Sequence, residues 1–178
     1  MAFCKKDPMK TAIHPTTGKE FISGTTQEWF AKAIPAPTAK NVHTQLGVHF
    51  EEVAETIAAL AFTGAVAEAH GKTLAKAMHA FGMMLKTGEV SIDANATNWR
   101  EVGDGLADTR VTSVGGLYMI GADVDAIVAS VDDSNFSKFV DGEPIFDENG
   151  KVAKGPDTFK PDVKAFIPEI PPVFAEVA

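Results

Sequence analysis

Residues 42–62, VHTQLGVHFEEVAETIAALAF, decide how this chain reads. Leu46, Phe50, Val53, Ile57 and Leu60 return at alternating steps of four and three, the period of one helix face rather than of a strand. The spacing predicts a long α-helix from Val42 to Phe62. Into its middle the sequence sets Glu51, Glu52 and Glu55, three carboxylates within five residues. Pairs three and four apart are neighbours on a helix surface, and like charges there cost about 0.2–0.5 kcal/mol per exposed pair. Either these glutamates form a solvated edge or something positive lies among them.

Working outward, residues 1–24 hold Pro8, Pro15, Gly18 and Gly24 with no sustained period, and read as a loosely ordered arm. Thr25 followed by Glu28 is a capping box that opens a short helix, closed by Pro35 and Pro37. The segment AVAEAHGKTLAKAMHAFGMMLKTG, residues 65–88, keeps helical spacing through Leu74, Met78, Phe81 and Leu85, with Gly88 as its C-cap. A further helix is expected from Asn98 to Gly121. Its Gly105, Gly115 and Gly116 are expected where another backbone or a ligand comes close. Asp123 caps the next helix, VDAIVASVDDSN. Beyond Asn135 the composition turns to Asp141-Gly142 and Asn149-Gly150, and the latter predicts a hairpin between PIFDE and KVAKG. The tail FIPEIPPVFAEVA has three prolines and reads as an extended arm laid against a neighbour. The expected architecture is an all-α bundle of four or five helices with a small C-terminal β-hairpin. Its body spans residues 25–165, preceded by the arm 1–24 and followed by the tail 166–178.

The chain has 178 residues, 45% of them hydrophobic and 22% charged, as in an ordinary globular domain. A formal net charge of −8 argues against binding a nucleic-acid polymer, which needs basic groups to displace counterions. It leaves a nucleotide open, since bound metal can carry the phosphates. The single cysteine, Cys4, excludes an internal disulfide and suits a reducing compartment. There is no apolar leader segment and no apolar run of membrane-spanning length, so a cytoplasmic protein without a membrane partner is expected.

A second acidic cluster bears on the first. In REVGDGLAD, Glu101, Asp104 and Asp108 follow at steps of three and four and share one helix face with Ala107, Val111 and Gly115 nearby. Glu101 is equally the N3 partner of Asn98 in a helix cap. Asp104 and Asp108 lie inside the helix, where aspartate is a poor former, so local propensity does not explain them. Two helices with inward carboxylates can build an oxygen-rich pocket of the kind that suits Mg²⁺ or Mn²⁺. The metal's charge would then offset the crowding of the glutamates. His49 adjoins the first cluster and is given no role. A di-iron carboxylate site is excluded because no Glu-x-x-His pairs occur at the required spacing.

Glu51-Glu52-x-x-Glu55 followed by Asp104-x-x-x-Asp108, with SNFSK at Ser134–Lys138 and GKVAKGPDTFKPD at 150–162, resembles the MazG-like all-α nucleoside triphosphate pyrophosphohydrolases. EWFAKAIP and QLGVHFEE are similar to a phage and bacterial branch of that family, and the likeness runs over residues 25–165. The second pair departs from the family's ExxD: Gly105 stands where its glutamate would be, while Glu101 and Asp104 make a strict ExxD one turn earlier. The resemblance implies a MazG-like bundle and a metal site of Glu51, Glu52, Glu55, Asp104 and Asp108. Glu51, Glu52, Glu55 and Asp108 would carry catalysis. The implied reaction is Mg²⁺-dependent hydrolysis of a (d)NTP to the monophosphate and pyrophosphate, Mn²⁺ being able to substitute. Guanine nucleotides are the first expected substrates, with dUTP, dCTP or damaged nucleotides as alternatives. Lys138, Lys151 and Lys154 are expected to meet phosphate oxygens. Trp29 or Phe30 would stack on the base, and Asn41, Gln45 and Asn135 would hydrogen-bond to base or sugar. For Trp29 and Phe30, core packing is the competing reading. A homodimer or homotetramer is implied as well. A non-catalytic helical scaffold is the reading of a different class.

Overall fold

The computed structural model describes residues 10–147 and 152–175. The chain gathers into two compact units, one of residues 36–99 and the other of the residues up to Pro35 together with those from Arg100 onward.

The first unit is a helical hairpin of α2 (Ala39–Ala59) and α3 (Ala65–Thr87). α2 starts three residues earlier than its apolar period suggests because Thr38 and Asn41 form a capping box. The Thr38 hydroxyl accepts from Asn41 N–H at 3.3 Å, and Asn41 Oδ1 accepts from Thr38 N–H at 2.9 Å. It ends at Ala59, since Leu60 takes an extended backbone with φ −81° and ψ 140°. α3 ends as expected on Gly88, left-handed at φ 79°. Between the helices, Glu68 accepts from Phe62 N–H at 3.1 Å and pairs with Lys72 at 2.8 Å. The Phe62 ring covers Gly71 so closely that a Cβ there would lie 2.4 Å from it. His43 bridges α2 to the segment after α3: Nδ1–H donates to Ala39 O at 2.6 Å and Nε2 accepts from Ile92 N–H at 2.8 Å.

The closest approach of α2 and α3 falls at Gly47 and Gly82. A Cβ on either would stand 2.6 Å from the carbonyl oxygen of the other, nearer than packed atoms can stand. Both glycines therefore serve helix packing. The glycines expected to do so, Gly105, Gly115 and Gly116, have nothing within 4 Å of such a Cβ.

The second unit begins with the antiparallel strands β1 (Lys10–Ile13) and β2 (Glu20–Ser23), paired from Lys10 with Ser23 to Ile13 with Glu20. They lead to α1 (Thr26–Ala33), opened by the expected Thr25–Glu28 capping box. The unit continues with α4 (Trp99–Met119) and α5 (Val124–Phe136), the latter capped by Asp123, whose carboxylate accepts from Ala126 N–H at 3.1 Å. A 3₁₀ turn at Val163–Phe166 and the short α6 (Pro172–Ala175) close it. Ala33, Phe136 and Phe139 form the core, with Phe21, Trp29, Ile34 and Val152 packed around them. The tail rests on its own chain's α4–α5 corner: Asp123 N–H donates to Phe166 O at 3.0 Å, and Pro172 covers Gly121.

The chain is therefore not the expected all-α bundle with a C-terminal hairpin. It is mostly helical, but its regular sheet is the two-stranded one near the N-terminus, within the stretch read as an arm. Toward the C-terminus the described residues pair only as isolated bridges, Val140 with Glu143 and Phe146 with Val152. The expected turn at Asn149-Gly150 and Lys151 lie outside the described residues, as does Cys4. The physical reason lies in what closes each turn. Asp141 and Gly142 both take positive φ, 51° and 78°, and make a tight two-residue turn with a single bridge. Val152 beyond it packs singly on the core. The β1–β2 turn is instead closed by the buried His14. Its Nδ1 accepts from Thr16 and Thr17 N–H at 3.1 Å each, and its Nε2–H donates to the distant Asp157 O at 2.9 Å. No local pattern announces that contact. Among the described residues no helix is long and apolar enough to cross a membrane.

Gly47→Ala should destabilise the protein by about 1–3 kcal/mol, since its methyl would collide with backbone that cannot yield without parting the helices. Gly103→Ala, where nothing lies within 4 Å, should be neutral or stabilising by up to about 1 kcal/mol through helix propensity. Urea unfolding monitored by circular dichroism separates the two.

Candidate functional site

The acidic stretch lies about three to four turns into α2, after the Gly47 crossing. Close packing there brings α3 against Glu51, whose side chain is only 14% exposed. Lys86 Nζ donates to Glu51 Oε2 at 2.7 Å, and His79 Nε2 stands 4.0 Å from Oε1. The positive charge among the glutamates is thus supplied, for Glu51, by the neighbouring helix. Glu52 and Glu55 are exposed, and the described residues offer neither carboxylate a hydrogen bond or ion pair. Glu55 lines a groove of about 260 Å³ with Ala54, Ala58, Ala75, Lys76 and His79. The alanines leave the space, and the groove's ends carry both signs of charge.

Asp104 and Asp108 fall on the first half of α4, in the other unit, and both are exposed; Glu101 lies in the first turn of that helix. Among the described residues no three His, Cys, Asp or Glu side chains gather closely enough to hold one metal ion. Asp104 and Asp108 share a helix face as the spacing requires, but α4 is not part of the α2–α3 hairpin.

Of the residues expected to bind substrate, Trp29, Asn135 and Lys138 do come together. Trp29 Nε1–H donates to Asn135 O at 2.8 Å, Lys138 Nζ donates to Asn135 Oδ1 at 2.7 Å, and the ammonium sits 5.5 Å from the centre of the Trp29 ring. Trp29 also stacks on Phe139 with ring centres 5.9 Å apart and planes within 9°. Its contacts are those of core packing, and Phe30 stands edge-on beside it. In SNFSK the serines tie the end of α5 to a later loop: Ser134 donates to Phe159 O at 2.9 Å, and Ser137 accepts from Phe159 N–H at 3.2 Å. Asn41 is committed to the α2 cap, while Gln45 and Lys154 are exposed.

Sequence reasoning missed Lys76, His79 and Lys86, the nitrogen-bearing side chains of α3 near Glu51 and Glu55. The signal was present: they recur at steps of three and seven on one face of α3. It also missed Asp132, 8% exposed on α5, which accepts a hydrogen bond from the Thr26 hydroxyl. Beside it Asp133 accepts from the Ser23 hydroxyl. Burial raises the Asp132 carboxyl above its ordinary value, and the Asp133 and Glu28 charges push the same way, while the Thr26 hydrogen bond opposes them.

Comparison of the chain with protein-family models, with curated proteins and with solved structures finds no match.

Two outcomes follow from these charges. Lys86→Met should cost about 1–2 kcal/mol by leaving the mostly buried Glu51 unpaired. Adding Glu51→Gln should recover much of that loss in a thermal-unfolding cycle. For Asp132, the folded state binds the proton more tightly than the unfolded chain, so ionisation costs stability at neutral pH and the cost fades as pH falls through the raised value. Asp132→Asn, which keeps an acceptor for Thr26, should raise Tm at pH 7. Its advantage should vanish near pH 4, about the unfolded aspartate value.

Proposed function

We propose that the chain is a Mg²⁺-dependent nucleoside triphosphate pyrophosphohydrolase, cleaving between the α- and β-phosphates of a (d)NTP, with guanine nucleotides as first candidates. The observation that carries this reading is the pair Glu52 and Glu55, exposed carboxylates without partners among the described residues, of which Glu55 lines a groove with His79 and Lys76. The sequence resemblance to the MazG-like pyrophosphohydrolases supports it. The donor set fits the ion. Mg²⁺ binds hard oxygens, keeps several waters, and commonly needs only one or two carboxylates besides the substrate's phosphates. Glu52 and Glu55 meet that need, while Glu51 is largely engaged by Lys86. When bound, the metal would supply charge neutralisation for the triphosphate.

The chain's own residues have divided tasks in this reading. One of Glu52 and Glu55 would hold the ion, and the other would accept the proton of the attacking water. His79 and Lys76, on the α3 wall, offer N–H donors to phosphate oxygens. Glu51, its charge offset by Lys86, positions rather than reacts. Exposed apolar side chains, among them Leu60, Val66 and Leu74 on the first unit and Val111, Tyr118 and Met119 on α4, support assembly as a homodimer or homotetramer.

Pyrophosphate release from the eight common (d)NTPs, measured with Mg²⁺ and again with EDTA, tests the reading. Metal-dependent release with a monophosphate product is expected. Glu52→Gln and Glu55→Gln should each lower turnover about 10²-fold or more while leaving the circular dichroism unchanged. Absence of release from all eight, or full turnover in both variants, would overturn the assignment and favour a helical scaffold without catalysis.

A further inference from the structure

A second cavity, of about 350 Å³, lies in the other unit between the β1–β2 hairpin and the residues that follow α5. That volume is at the lower end of small-molecule sites, about 300–1,000 Å³. Its floor is aromatic and apolar: Phe136 and Phe139 are buried, at 2% and 9% exposure, and Phe21 and Val140 adjoin them. Its mouth carries Glu20, Asp141 and Asp157 against a single cation, Lys19. The buried His14 also lines it, but both its ring nitrogens are engaged by backbone groups, so it adds no free donor.

The charges at the mouth are unequal in their partners. Lys19 Nζ stands 3.5 Å from Asp157 Oδ2, so one ammonium already sits at this rim. The described residues offer Glu20 and Asp141 neither a hydrogen bond nor an ion pair through their carboxylates. Asp141 is held by a tight turn whose Gly142 lies against Ile22 of β2, so its position is fixed by packing. An anion is disfavoured by this balance. A single metal ion is disfavoured too, because no three ligating side chains gather closely enough among the described residues. What remains is a cation that carries charge at separated points on an apolar body. Methylene stems bury well on apolar side chains such as Phe21, Ile22 and Val140, which line the cleft.

We infer that this cleft binds an aliphatic diamine or polyamine, with ammonium groups at Glu20 and Asp141 and the methylene stem on the accessible apolar lining of Phe21, Ile22 and Val140. The site is separate from the α2–α3 groove and does not rest on the pyrophosphohydrolase reading.

Titration of the full chain with spermidine at about 0.15 M salt, a concentration that screens diffuse surface attraction, tests it by calorimetry and by amide chemical-shift mapping. A saturable 1:1 heat is expected, with shifts centred on residues 139–142 and 19–22. Glu20→Gln with Asp141→Asn should weaken binding about threefold to tenfold, the size of two exposed ion pairs. Asparagine tolerates the positive φ at 141. A control with the same charge change elsewhere, Asp125→Asn with Glu169→Gln, should bind like the parent. No saturable heat, shifts spread over the whole surface, or equal weakening in the control would overturn the inference. Each would mean only diffuse attraction to a chain of net charge −8.

Discussion

The approach of α2 and α3 at Gly47 and Gly82 constrains everything the acidic stretch can do. With backbone against backbone at that point, the next turn of α2 is drawn against α3, and Glu51 loses most of its contact with water. A carboxylate in that position needs a partner. Lys86, in the last turn of α3, meets it, and His79 flanks it about two turns deeper. Glu52 and Glu55 stay in solvent, Glu55 at the groove it lines with Lys76 and His79. One helix thus carries two kinds of glutamate: one that holds the hairpin together and two whose carboxylates find no hydrogen bond or ion pair among the described residues. The division follows from geometry, since all three have the same intrinsic chemistry.

The second unit is held by a different device, a set of contacts between parts of the chain far apart in sequence. His14 fastens the first turn to Asp157, and its ring meets the edge of Phe159 at 5.0 Å between centres. Ser134 and Ser137 fasten the end of α5 to the same Phe159 from the other side of the loop. Phe159 is therefore where the N-terminal sheet and the last turn of α5 are joined. The consequence for function is that the SNFSK serines are occupied with structure. Asn135 and Lys138 face Trp29 and each other rather than the cleft beside Phe139.

α4 behaves unlike the other helices. It has no buried residue, carries glycines with open space beside them, and exposes Val111, Tyr118 and Met119 at 68%, 72% and 69%. Glycine costs a helix about 1 kcal/mol relative to alanine, and packing of an amphipathic face is what usually offsets such costs. Its carboxylates fall between Glu101 and Asp108 and it carries no charge beyond Arg110, so charge and apolar surface are presented at separate ends.

Most helices were legible in the sequence. Apolar returns at three and four steps gave α2 and α3, the Thr25–Glu28 box gave α1, Asn98 with Glu101 marked the start of α4, Asp123 that of α5, and Gly88 the end of α3. These are local signals, set by neighbouring residues and the period of the backbone. The candidate site was half legible: Glu51, Glu52 and Glu55 were found, but not which of them would be neutralised. That depends on Lys86, thirty-five residues away, and on a helix crossing set by two glycines the apolar pattern did not single out. The N-terminal sheet was missed for the same reason, because the contact closing its turn runs from His14 to Asp157 across 143 residues. The sequence by itself determined where helices begin and end and where carboxylates cluster, since both follow from interactions within a turn or two. Only the tertiary structure decided which glycines touch, which glutamate is paired and where the strands lie. Those depend on close approaches between distant segments, whose energies no local period records.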